Sequence, residues 1–175
     1  GIVEGQEAFD DDPTEFPVNT WTRLDAMGVV SKVAALKPSG KAYLAGMILM
    51  LIPIGVAIWR RSADEADKSV FGLTGLIACL AILVAIYHHS YDALLIAPAW
   101  LALILAGKFV CPELSRWQRW SVIILLTVPL ANYVATLRFR SLLQLDNQSV
   151  PWNVIASANG VCLLLALMLL LQTAV

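Results

Sequence analysis

Residues 42–59 read AYLAGMILMLIPIGVAIW, an apolar run without a charge, bracketed by Lys41 and Arg60. Crossing a hydrocarbon core of about 30 Å as a helix takes roughly 20 residues of this kind. Four more runs approach that length: Val70 to Tyr87, Ala93 to Gly107, Ser121 to Leu137 and Asn153 to Leu171. The 175 residues are 59% hydrophobic and 14% charged, with a mean hydropathy of +0.73. An ordinary soluble domain is about 25% charged, so the composition argues against one. The expected fold class is all-α, a polytopic membrane helix bundle of about five transmembrane helices. The bundle is expected over residues 42–175, with spans at 42–59, 70–87, 93–107, 121–137 and 153–171. Pro53, Pro98 and Pro129 fall inside runs, where neighbouring helices can re-satisfy the carbonyl that a proline leaves unbonded.

Residues 1–41 form a separate, extracytoplasmic region. Glu4, Glu7, Asp10, Asp11, Asp12 and Glu15 make its first part an acidic loop. Thr20 to Leu36 then reads as an amphipathic helix on the membrane surface, with Leu24, Met27, Val30 and Ala34 on one side and Arg23, Ser31 and Lys32 elsewhere. Short loops retain Lys and Arg on the cytoplasmic side. With five crossings, one face receives Arg60, Arg61, Lys68, Lys108, Arg116 and Arg119. The other receives the connection from His88 to Asp92, which has no basic residue of that kind, and the Arg138–Pro151 loop, which has two. The N-terminal Arg23, Lys32, Lys37 and Lys41 narrow the contrast, but the histidine connection is still placed outside.

Several function classes find no footing. There is no basic patch suited to nucleic acid. Cys79, Cys111 and Cys162 lack metal-ligand spacing and read as small buried hydrophobes. Adjacent histidines diverge on a helix and have no nearby partner ligand, so neither a metal nor any other cofactor is expected.

The sharpest local feature is Tyr87-His88-His89-Ser90-Tyr91-Asp92, set between two apolar runs and holding both histidines of the chain. Ionisable groups at the edge of hydrocarbon are costly to desolvate, which marks them as candidates for function. Imidazole and phenol groups donate hydrogen bonds to a phosphate, and a carboxylate accepts a proton. An interfacial turn, with Asp92 capping the next helix, explains the same residues without any ligand. Arg138 and Arg140, beyond the fourth run, divide the same way: two guanidinium groups grip a phosphate headgroup or simply anchor a helix end.

The order of these elements resembles glycosyltransferase family 87. The matching features are Thr22-Arg23-Leu24-Asp25 opening a surface helix, a span ending in Trp59-Arg60-Arg61, and Tyr87 through Asp92 followed by Ala93-Leu94-Leu95 and Pro98. Asn132-Tyr133 late in one run, and Trp152 to Asn159-Gly160 opening the last, fit as well. The resemblance runs from about Trp21 onward and is to the family's C-terminal part. It implies a GT-C enzyme, similar to the polyprenol-phosphate-mannose-dependent mannosyltransferases of bacterial envelopes. Such an enzyme sits in the plasma membrane and moves a sugar from a lipid-phosphate donor to an extracytoplasmic hydroxyl. On that pattern His88, His89, Tyr91 and Asp92 face the cavity and hold the donor phosphate or the acceptor, with Arg138 and Arg140 as further phosphate-binding candidates. The family's catalytic base is an Asp in an early outward loop. Asp10, Asp11 and Asp12 do not match its position, so the base is expected upstream of Gly1 and the chain is expected to be a fragment. The implied partners are membrane lipids and the polyprenyl-phosphate-sugar donor, and oligomeric state is left open. A small membrane scaffold without catalysis is the alternative from another class.

Overall fold

The computed structural model describes residues 23–34, 39–62, 72–86, 90–134, 136–145 and 149–174. These residues are helical, and no strand ladder forms among them. Helix α1 spans Ala26–Ala34 and α2 Gly40–Ser62; α3 is Leu73–Ala85. A 3-10 segment, Ser90–Ile96, leads into α4, Ala97–Val110. Then come α5 Arg116–Ala131, α6 Leu137–Leu142, α7 Val150–Ala156 and α8 Ala158–Ala174.

Helix starts follow local chemistry. Asp25 accepts the Gly28 N–H at 2.8 Å, satisfying one of the orphan donors that open α1. Ser115 and Gln118 form a reciprocal capping box at α5. Thr136 and Ser149 cap α6 and α7 through the N–H groups of Phe139 and Trp152. This box starts α5 at Arg116, before the apolar run expected from Ser121. The helix also stops at Ala131 rather than continuing to Leu137, because Asn132 turns into the left-handed region at φ 44°. That conformation ends a helix and suits Asn better than most residues.

Helices α3 and α8 form the interior, with α8 packed on α5 and α3, α3 on α2, and α4 on α5. Leu73, Leu76, Ile77, Leu80, Leu83 and Val84 of α3 are all fully buried, as expected of a helix that is apolar all round. Only 11% of the apolar window of α2 is buried, so α2 faces outward with Leu49, Ile52 and Trp59 exposed. In a membrane those side chains meet lipid. Two helices, Gly40–Arg61 and Asp92–Val110, are long and apolar enough to cross a bilayer. The pair α7 and α8, bent by 45° at Ser157, makes a third if it is taken as one span. The 13 residues of α3 rise only about 20 Å, short of the hydrocarbon thickness. Apolar helices of this kind are compatible with an integral membrane protein.

Cross-links define two ends of the bundle. Arg61 at the end of α2 pairs with Glu113 in the α4–α5 turn at 2.7 Å. Gln118 at the start of α5 bonds Thr173 at the end of α8. At the opposite end Asn159 bonds Asn132, and the Trp100 indole near the start of α4 donates to Ile123 O and Thr127 Oγ1 late in α5. The chain thus alternates in direction through α4, α5 and α8.

The first helix differs from its sequence reading. It forms over Ala26–Ala34 within the expected 20–36, but Leu24, Val29 and Lys32 are buried while Val30 and Val33 are exposed. The buried face is turned toward Lys32 because that side chain reaches a carbonyl of α7.

Candidate functional site

Where α1, α7 and α8 meet, a polar cluster is sealed inside the protein. Arg23 Nε and Nη2 donate to Asp25 Oδ2 and Oδ1 at 3.0 and 2.9 Å, a two-pronged ion pair whose carboxylate is 1% exposed. The Arg23 guanidinium also lies 5.5 Å from the centre of the Tyr43 ring, linking α1 to α2. Lys32 Nζ donates to Arg23 O at 2.8 Å and to Ala156 O at 3.2 Å. Ala156 is the last residue of α7, where the helix dipole presents its negative end, so a lysine amine is well placed there.

Beside this cluster the backbones approach closely. A Cβ on Gly160 would lie 2.5 Å from Val29 Cγ2 and 2.7 Å from Leu24 O, which only glycine allows. One residue earlier, the buried Asn159 donates to Asn132 Oδ1 at 3.2 Å, and its own Oδ1 has no hydrogen-bond partner among the described residues. A buried acceptor left unpaired costs about 1–3 kcal/mol. Asn132, Asn159 and the Arg23–Asp25–Lys32 group therefore bring polar atoms from α1, α5, α7 and α8 to one end of the bundle.

Burial lowers Lys32 from 10.5 to about 7; the Asp25 carboxylate pulls it up and Arg23 pulls it further down. Between pH 7 and 10.5 the unfolded chain holds a proton that the folded chain releases, so stability rises with pH across this window. The slope is at most about 1.4 kcal/mol per pH unit. Thermal unfolding of the detergent-solubilised chain is expected to shift upward between pH 7.5 and 9.5, and Lys32→Met to level that trend. A midpoint independent of pH in the unsubstituted chain contradicts the neutral, buried lysine.

Of the residues singled out by sequence, Asp92 lies in the 3-10 segment and is half-buried. His88 and His89 lie outside the described residues, as does the Tyr91 side chain. Arg138 is exposed on α6 and Arg140 is half-buried there. Helix α6 is held by Phe139, which packs edge-on to Tyr133 at 5.3 Å and against the buried Trp152 of α7. The 3-10 segment packs on α5 as well as on α3 and α4, so Asp92 and α6 share the end of the bundle that holds the asparagine pair. Sequence reasoning passed over Asp25, Lys32 and Asn159 as site residues. An Asp three residues before a Gly, at a helix start, was the available signal for the first; nothing local marks the other two as buried. Among the described residues no three His, Cys, Asp or Glu side chains gather as a metal site would require. Comparisons with protein-family models, with curated proteins and with solved structures found no match.

Proposed function

We propose that this chain is the C-terminal membrane part of a glycosyltransferase that moves a sugar, mannose, from a polyprenyl-phosphate donor to an acceptor hydroxyl. In this reading α2, α3, α4 with its 3-10 lead, α5 and the bent pair α7–α8 are five membrane crossings. The end carrying Asp92 faces the extracytoplasmic side of a bacterial inner membrane. One observation supports the reading above others: four of the elements that resemble glycosyltransferase family 87 share one end of the bundle. Arg23 and Asp25 open α1 there, Asp92 lies before α4, Asn132 closes α5, and Asn159–Gly160 begins α8.

The chemistry asked of this end is limited. As the donor bond breaks, positive charge develops on the sugar ring and negative charge on the departing lipid phosphate. His88, His89, Tyr91, Arg138 and Arg140 would donate hydrogen bonds to that phosphate, and Asp92 would orient a hydroxyl. The base that removes the acceptor proton comes, on the family's pattern, from an early outward loop that no segment of this chain matches.

The test uses membranes expressing the coding sequence that contains this chain, supplied with radiolabelled polyprenyl-phosphate mannose. His88→Ala and Asp92→Asn are each expected to lower sugar transfer by about 100-fold, with the protein's amount in the membrane unchanged. Transfer at the original rate in both variants, or none in the unsubstituted protein with any polyprenyl-phosphate sugar, leaves a non-catalytic membrane scaffold as the better account.

A further inference from the structure

At the other end of the bundle, α4 is broken before it finishes. Ala106 has φ −137° and ψ 25°, outside helical values, and Gly107 follows it. The Arg119 side chain of α5 lies against that glycine: a Cβ there would meet Arg119 Cδ at 2.5 Å and Nε at 2.9 Å. Arg119 Nη2 donates to Leu114 O at 3.3 Å, while its Nε is buried and has no acceptor among the described residues. A pocket of about 300 Å³ opens here, lined by Ile104, Gly107, Lys108, Arg119, Trp120 and Ile123.

Among the described residues the charge at this pocket is not balanced by a carboxylate. The carboxylate of the α4–α5 turn, Glu113, is taken by Arg61. Among the described residues no carboxylate pairs with Lys108 or Arg119. Phe109 and Trp120 of its lining are 90% and 51% exposed, and exposed aromatic side chains of this kind sit at headgroup depth. Ile104 and Leu105, also in its lining, are exposed apolar surface.

We infer that this pocket binds the phosphate of an anionic phospholipid, with Arg119 and Lys108 on the headgroup and the acyl chains along Ile104 and Leu105. A phosphate supplies a further acceptor for the guanidinium, beyond Leu114 O, and the negative charge that the described lining lacks. Basic pockets between membrane helices recognise lipid headgroups by this chemistry. A lipid rather than a free anion is the occupant, because the pocket opens onto apolar surface and not into a polar cleft. The inference is independent of any catalytic role of the other end.

The purified chain is to be carried from vesicles of phosphatidylcholine with phosphatidylglycerol into detergent, and the lipid retained measured by native mass spectrometry. Phosphatidylglycerol is expected to be retained in preference to phosphatidylcholine and to raise the thermal midpoint. Lys108→Gln and Arg119→Gln should each weaken retention roughly fivefold, the worth of one basic charge at a membrane surface. Arg60→Gln, on the same face but outside the pocket, should leave it unchanged. Lys108 is exposed, so its variant stays interpretable if Arg119→Gln does not fold. Equal retention of the two lipids, an equal loss with Arg60→Gln, or protection by inorganic phosphate with none from phosphatidylglycerol overturns the inference.

Discussion

Asp25→Ala is expected to cost about 3–5 kcal/mol, because it removes a buried carboxylate that is paired with Arg23 and lies in the same group as Lys32. Both oxygens of Asp25 are engaged by the guanidinium, and one also accepts the Gly28 N–H that opens α1. The loss of the cap alone is worth about 1 kcal/mol. The larger part comes from breaking the buried two-pronged ion pair with the Arg23 guanidinium, which is 13% exposed. Asp25→Asn keeps one oxygen that can accept from Gly28 N–H but carries no charge, so only the capping part of the loss, about 1 kcal/mol, is expected to be recovered. The measurement is unfolding in mixed micelles of increasing dodecyl sulfate content. If Asp25→Ala stays within about 0.5 kcal/mol of the unsubstituted chain, as ordinary surface substitutions do, the cluster does not anchor α1.

The second large effect is at Gly160. Gly160→Ala is expected to destabilise by about 2–3 kcal/mol, since the new methyl group meets Leu24 O, a backbone atom that cannot swing away. Gly55→Ala is the matched control: nothing lies within 4 Å of a Cβ there. Both changes gain up to about 1 kcal/mol of helix propensity, so the difference between them isolates packing. Gly55→Ala should be neutral or slightly stabilising. Equal midpoints for the two variants would show that α1 is not seated against α8 as described.

How much of this was legible in advance depends on the kind of interaction. The apolar run at 42–59 announced α2 because eighteen residues without a charge read the same in any surroundings. Residues 93–107 and 153–171, expected as spans, lie in the 3-10 segment with α4 and in α7–α8. The bounds of α5 were missed at both ends. Ser115 and Asn132 decide them through a capping box and a left-handed turn, short-range features outweighed in a hydropathy reading by the apolar stretch beyond them. The bend at Ser157 was not foreseen either, since no proline stands there and the composition is apolar on both sides.

The polar end shows the division more sharply. Arg23 and Asp25 are two residues apart, and their pairing is local. Lys32 meets Ala156 across 124 residues, and Asn159 meets Asn132 across 27. On the helix wheel Lys32 belongs with the solvated residues; only the arrival of the α7 carboxyl end makes it a buried group with a pKa near 7. The sequence by itself determined that the chain is helical and apolar enough for a membrane, because length, hydropathy and capping act within one segment. The tertiary structure alone decided which charges are buried, which glycine is a contact and which face of α1 is inside. Those depend on what a second helix brings to the same place, and no local pattern encodes that.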